Sequence, residues 1–312
     1  MAAITLEGVA QTPGFIPEPI AREIITAVQA QSVVTRLAKS VPVTLDGIAT
    51  LTQTGTIEAG VVGEGERKPV SSGSYSPKKA KPIKLAAICI VSKELRMRNP
   101  ANILANIQAD LGNSITRAVD LAVLHGTNAV TGDIAGMESL ADTTNSVALG
   151  TTAVSAGGIG KDLLTGYDLV VNSDSPYAEF DGFAAHKSIR TELAGAVDAQ
   201  GRPVFSAGWD LKAGIDNVMG LPTAYSNIVN GKRGVAAGSN VVAFGGNWAS
   251  LQYGFAEQMT IRRTDQATIV DGDTTYHLFQ DNLEAYLVEA IFGWLIPETD
   301  AFVKYTKGPA TP

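Results

Sequence analysis

A chain of 312 residues is long enough to bury a sizeable core, as one large domain or two of ordinary size, and 45% hydrophobic with 18% charged residues excludes disorder. The 24 basic and 31 acidic side chains give a net charge of −7, which excludes overall attraction to nucleic acid or to an anionic membrane surface. A single cysteine excludes an internal disulfide, while 32 glycines point to many turns and a mixed α+β chain.

The first 14 residues are small and polar, punctuated by Gly and Pro, and read as an extended arm. Ile20, Ile24, Ile25, Val28, Val33, Val34 and Leu37 then form an apolar stripe that predicts a helix or a bent pair of helical turns. Residues 41–45 alternate like a strand. Neither a signal peptide nor an apolar run near the roughly 20 residues of a membrane span is expected.

Residues 48–84 are organised differently. Residues 50–57 and part of 79–87 have the alternation and β-branching of strands, but residues 60–77 between them are too rich in Gly, Ser and Pro to build a core. The pattern predicts a protruding hairpin, which persists when a neighbouring molecule covers it. In a chain that is acidic elsewhere, Arg67, Lys68, Lys78, Lys79, Lys81 and Lys84 face only Glu64 and Glu66. Such a stretch is either a solvated basic face or a surface that docks on an acidic neighbour.

Residues 84–91 form a compact apolar strand whose Cys89 reads as an inert core thiol. A long helix is predicted over residues 99–125, with Asn99 as N-cap, Pro100 at the first helical position and Gly126 as the stop. Ile103, Leu104, Ile107, Leu111, Ile115, Ala118, Val119 and Ala122 share one stripe, and Asn106, Asp110, Asn113, Arg117 and Asp120 share the opposite one. At about 1.5 Å per residue the rod would reach roughly 39 Å, the length of a spine.

Residues 129–160 read as loops with short strands. Helices are expected over residues 160–172, where residues 168–171 could instead begin a strand, and over residues 183–193, followed by a turn at 198–203. Residues 220–222 and 241–246 carry strand and turn punctuation. Residues 260–264 alternate, Asp271 to Asp273 make a tight turn, residues 276–279 start a strand that leads into 283–296, and 301–305 are the last ordered stretch.

No motif supports catalysis, a cofactor or a metal. His125, His186 and His277 lack carboxylates or thiols at ligand spacing. Gly63 and Gly65 lack the third glycine and the helix of a phosphate loop, and the loop from Asp271 has Asn282 where a calcium loop needs its bidentate Glu. Ser76 and Lys79 match Ser-x-x-Lys without companion motifs, and no Gly-x-Ser-x-Gly elbow is present.

The order of parts resembles the tailed-bacteriophage major capsid proteins of the Hong Kong 97 type. Local patterns agree: residues 84–95 before the spine, 120–126 closing it, Gly136 and Met137 after it, 184–193 with Gly201, Arg202 and Pro203, then 220–226, and an ending over 279–303. The resemblance implies an N-terminal arm (1–47), an extended loop (48–84), a peripheral domain (85–128, spine about 100–125), an axial domain (129–254), and closing strands with a C-terminal return (255–312). It implies that Glu64, Glu66, Arg67, Lys68, Lys78 and Lys79 contact an adjacent subunit. Hexamers and pentamers would build an icosahedral head around double-stranded DNA held without sequence-specific contact.

Further partners so implied are a portal protein and, in some relatives, a decoration protein; since about 47 residues precede the loop, scaffolding would come from a separate scaffolding protein, or the chain would need little of it. The chain would be made in the host cytoplasm and end in the virion capsid. Some relatives join a loop Lys to an Asn of another subunit with help from a Glu, and Lys68 (or Lys78 or Lys79), Asn282 and Glu289 stand at matching places. An encapsulin shell of the same fold and a soluble β-rich enzyme remain as alternatives.

Overall fold

The computed structural model describes residues 32–53, 55, 57–98, 103–128, 130, 132–198, 200–204, 217–232 and 238–308. The predicted arm up to residue 31 and the predicted cap at Asn99 and Pro100 lie outside them, as do the side chains of Ile103 and Leu104. The first half contains α1 (Val33–Leu37), β1 (Lys39–Ser40), β2 (Ile48–Gln53), β3 (Tyr75–Ala80), β4 (Ile83–Ser92), α2 (Lys93–Arg98), the spine helix α3 (Ile103–His125), β5 (Thr127–Asn128) and β6 (Gly132–Asp133). There follow β7 (Ser146–Leu149), α4 (Gly158–Val171), β8 (Gly182–Ala185), α5 (Ile189–Ala194), β9 (Asn217–Val218), β10 (Leu221–Tyr225) and β11 (Val241–Gly246). The chain closes with β12 (Gln252–Thr264), β13 (Thr268–Asp271), β14 (Thr274–His277), β15 (Leu283–Leu295) and β16 (Phe302–Lys307).

Two sheets carry the fold. The first has the order β1-β12-β15-β4 and backs onto the spine. Alternate residues of β4, Leu85, Ala87, Cys89 and Val91, join Ile107, Leu111, Ile115 and Val119 in one apolar cluster, each fully buried aliphatic side chain contributing about 1.5–3 kcal/mol. On the other face of β4, Ile88 is exposed, while Ile90 packs against Leu278, Leu283 and Ala285. Burial pushes the Cys89 thiol above its ordinary pKa, which suits an unreactive core residue.

The second sheet has the order β7-β16-β11-β8-β10-β9. Helix α4 packs on it through Leu163 and Val170 against Phe183, Val303 and Tyr305. The Tyr305 hydroxyl donates to the Leu163 carbonyl at 3.1 Å, and a Cβ at Gly166 would collide with the Tyr305 ring, so the helix lies this close only because position 166 is glycine. Phe244, Trp248 and Phe302 of this half share the spine's core cluster, which makes the interior continuous.

Several expectations need correction. The predicted helix over 183–193 is strand β8 followed by the shorter α5; β8 is buried at all four residues, and a central strand covered on both faces has no alternation to distinguish it from a helix face. Beyond β1, residues 41–45 pair among the described residues only through the Val41 N–H to the Tyr253 carbonyl at 2.8 Å and a turn at Thr44 and Gly47. Strand β14 ends at His277, and the chain turns through Asn282 at φ 54° before β15 starts. The final strand, β16, lies between β11 and β7, in the sheet of residues 129–254 rather than with β12 and β15. Helix α2 was not anticipated; the Ser92 hydroxyl accepts the Leu95 N–H at 3.2 Å at its start.

On the spine, Asn106, Asp110 and Arg117 are exposed, but Asp120 is 1% exposed and belongs to the interior. Its carboxylate accepts from the Ser32 hydroxyl at 2.6 Å and from the N–H groups of Val33 and Val34 at 3.3 and 3.4 Å, closing the N-terminus of α1. Burial outweighs these three donors and raises its pKa from 3.8 to about 6. The folded protein therefore holds this proton more tightly than the unfolded chain, and the stabilisation is complete below about pH 4 and lost as pH rises through about 6, roughly 3 kcal/mol in all. Urea unfolding of the unassembled subunit is expected to show the wild type losing about that much more than Asp120→Asn between about pH 4 and pH 7. Parallel pH profiles for the two proteins would refute the assignment.

Candidate assembly surface

Strands β2 and β3 form an antiparallel hairpin in register from Ile48 opposite Ala80 to Gln53 opposite Tyr75. Strand β2 begins and ends nearer the root than the sequence suggests, whereas β3 reaches further toward the tip, starting inside the Gly/Ser/Pro-rich run and taking in Pro77. Ile48 and Thr52 point inward and are buried, whereas Leu51 is 70% exposed on the outer face. The root is pinned where Ile48 and Ala80 pack with Val43 and Leu295. Gly47 reverses the chain there at φ 108°, with the Ala80 carbonyl filling the place of any Cβ.

Outboard of Gln53 the described residues 57–74 contain no strand and belong to no core cluster. Val61 and Val70 are completely exposed. The tip still has local order. The Glu66 carboxylate accepts the Gly63 N–H at 3.0 Å, and the Glu58 N–H donates to the Ser71 hydroxyl at 3.0 Å across the two arms.

The charged residues divide into two groups. Glu64, Arg67, Lys68, Lys79 and Lys81 are exposed and make no ion pair among the described residues. Lys78 departs from the expected outward role: its ammonium pairs with Glu138 at 2.5 Å and donates to the Pro297 carbonyl at 3.2 Å, both in its own chain. Nothing in the sequence linked positions 60 and 219 residues apart.

The residues considered for a covalent crosslink have other employment. Asn282 supplies the left-handed turn before β15, and its carbonyl accepts the Lys93 N–H at 3.0 Å. Glu289 pairs with Lys84 at 2.5 Å, and that hydrogen bond holds its carboxyl below its ordinary pKa. A proton acceptor benefits from the opposite shift. Seven residues of extended chain, roughly 24 Å, separate Asn282 from Glu289 within one subunit. Lys68 makes no ion pair among the described residues.

The histidines are hydrogen-bonded elsewhere: His125 to the Val229 carbonyl at 2.8 Å, His186 to the Ser188 hydroxyl at 2.8 Å, and His277 to the Thr268 hydroxyl at 3.2 Å. Another polar feature missed in the sequence is Glu284, 2% exposed on β15, which meets Arg96 of α2 at 3.0 Å.

A jutting hairpin, a long spine and two sheets with a shared core together call for comparison with shell-forming proteins. The family model described as the phage capsid family matches residues 14–307. The chain belongs to the phage capsid family. It is 30% identical to the probable major capsid protein gp17 of Mycobacterium phage L5, over 96% of this chain and 91% of that one. A solved chain from Gordonia phage Cozz superimposes with a TM-score of 0.77 at 29% identity, covering 89% of this chain and 87% of that one. One from Mycobacterium phage Ogopogo gives 0.75 at 24% identity over 96% and 97%, a likeness of fold. This phage capsid protein is structural and not an enzyme, its mixed helix-and-sheet fold is that of phage capsid structures, and the encapsulin reading is not favoured.

Proposed function

We propose that the chain is the shell subunit of an icosahedral phage head of the Hong Kong 97 type, and that its hairpin lies across an adjacent copy. The observation that carries this reading is the tip over residues 57–74, ordered locally yet mostly exposed and outside every core cluster among the described residues. A hairpin reaching from each copy onto a different patch of the next is a heterologous contact, the kind that closes into rings. Exposed Arg67, Lys68, Lys79 and Lys81 would fix register against an acidic neighbour more than add affinity.

In this reading residues 48–84 are the extended loop. The sheet of β4, β12 and β15 with the spine is the peripheral domain, and residues 129–254 together with β16 form the axial domain. The partners are copies of the chain in hexamers and pentamers, a separate scaffolding protein, a portal protein and a decoration protein. A net charge of −7 suits a lattice that encloses double-stranded DNA without gripping it. The protein is made in the host cytoplasm and resides in the virion capsid. The pairing of Glu289 with Lys84 favours a shell held without covalent links among Lys68, Asn282 and Glu289.

Electron microscopy of the purified protein under assembly conditions tests the function: closed icosahedral shells are expected, and their subunits should run as a single monomer band on a denaturing gel. A protein that stays monomeric at every concentration contradicts the shell reading, and a ladder of covalent multimers contradicts the non-covalent one.

A further inference from the structure

We infer that Lys78 is a positioning residue that sets the angle at which the hairpin leaves the subunit, through its bridge to Glu138 and the Pro297 carbonyl. The consequence for assembly rests on the hairpin-docking reading above; the bridge itself does not.

The paired strands meet the body at two kinds of contact. At the root, Ile48 and Ala80 are packed against Leu295. Beside the root, two cavities open between hairpin and body. One, of about 520 Å³, is lined by Lys78 to Ala80 of the hairpin, by the chain leading on to Ile83 at the start of β4, and by Met137, Glu138 and Trp294 opposite. The second, of about 620 Å³, is lined by Thr52 and Gln53 of the hairpin and by Tyr177, Pro297 and Asp300 of the body. Of the two groups that Lys78 holds, Glu138 lines the first cavity and Pro297 the second, so the side chain spans the join between them. Among the described residues, every side-chain hydrogen bond or ion pair from β2 or β3 to the body leaves from Lys78.

The receiving end is rigid. The Glu138 carbonyl accepts the indole N–H of Trp294 at 2.9 Å, and Trp294 is 1% exposed. The next residue, Ser139, donates its N–H and its hydroxyl to Asp142 at 2.8 and 2.9 Å. Side-chain exposures of 29% for Lys78 and 50% for Glu138 make the pair a weak contributor to global stability. Its geometry matters instead, because space lies on both sides of the strap and a small rotation at the Gly47 root becomes a large displacement at the tip.

Distances in the unassembled subunit test this directly. Spin labels at Ser72→Cys and Lys161→Cys, in a Cys89→Ala background, report the tip against helix α4 by double electron–electron resonance. Lys78→Met and Glu138→Gln are expected to widen that distance distribution roughly twofold, with Lys78→Arg close to the wild type and the thermal midpoint nearly unchanged. Under assembly conditions Lys78→Met should give misshapen or mis-sized shells where the wild type gives uniform ones. An unchanged distribution in Lys78→Met, or uniform shells despite a widened one, overturns the proposal. So does a large fall in melting temperature, which would make Lys78 merely structural. Normal shells from a subunit lacking its tip would instead overturn the docking reading while leaving the distance result intact.

Discussion

Leu111→Asp is expected to abolish folding of the subunit. Leu111 is 6% exposed in the middle of the spine and belongs to the cluster that includes Ile107, Ile115, Val91 and Val288. The substitution forfeits roughly 2–3 kcal/mol of apolar burial and places a carboxylate among hydrocarbon, at a further cost of several kcal/mol. A domain stable by about 5–15 kcal/mol does not reliably survive that sum. Asp120, two turns and more along the same helix, shows what a buried acid requires: three donors from the start of α1. Leu111 instead sits in a cluster of hydrophobic side chains. Circular dichroism and soluble yield check the outcome, with Asn106→Asp on the exposed face as the control, expected within about 0.5 kcal/mol of the wild type. A soluble Leu111→Asp subunit with an unchanged cooperative transition would mean the spine is packed some other way.

The contrast between Leu111 and Asp120 also explains which parts of the fold were readable in the sequence. A repeat of three and four residues, as on the spine, and a turn such as Asp271 to Asp273 are local signals, and each led to an element that the structure contains. The protruding hairpin was legible because its middle lacks the residues to make a core. Contacts that join distant positions left no such trace. The Ser32 hydroxyl that meets Asp120 lies 88 residues away, and the Pro297 carbonyl that meets Lys78 lies 219 away. Strand β8 failed for a different reason: Gly182, Phe183, Ala184 and Ala185 are buried on both faces, so neither period shows. Strand β16 has clear strand character, but nothing within residues 302–307 tells which sheet receives it. For the assembly surface, exposure and charge could be read directly, whereas the division of its lysines between the subunit and its surroundings needed coordinates.

Replacing residues 58–73 by a short Gly/Ser turn is expected to leave a folded, soluble subunit that forms no shells. No described residue of 57–74 enters a core cluster, so little apolar burial is lost, and shortening the connection between β2 and β3 lowers its closure entropy. The thermal midpoint should therefore stay within about 2 °C of the wild type, a change expected for well under 1 kcal/mol. On the docking reading, what disappears is the means of reaching another copy: the exposed Val61 and Val70, and Arg67 and Lys68, which make no ion pair among the described residues. Sedimentation and electron microscopy should find dispersed subunits where the full chain gives closed particles. Arg67→Glu with Lys68→Glu separates charge from shape at the same place. If an acidic neighbour receives the tip, the reversal should slow assembly by roughly tenfold or more at low salt, and added salt should narrow the gap by screening both the attraction and the repulsion. Uniform shells from the truncated chain would show that the subunits are joined through other surfaces. Assembly by the charge-reversed chain at the wild-type rate would place the tip on an uncharged patch, held by Val61 and Val70.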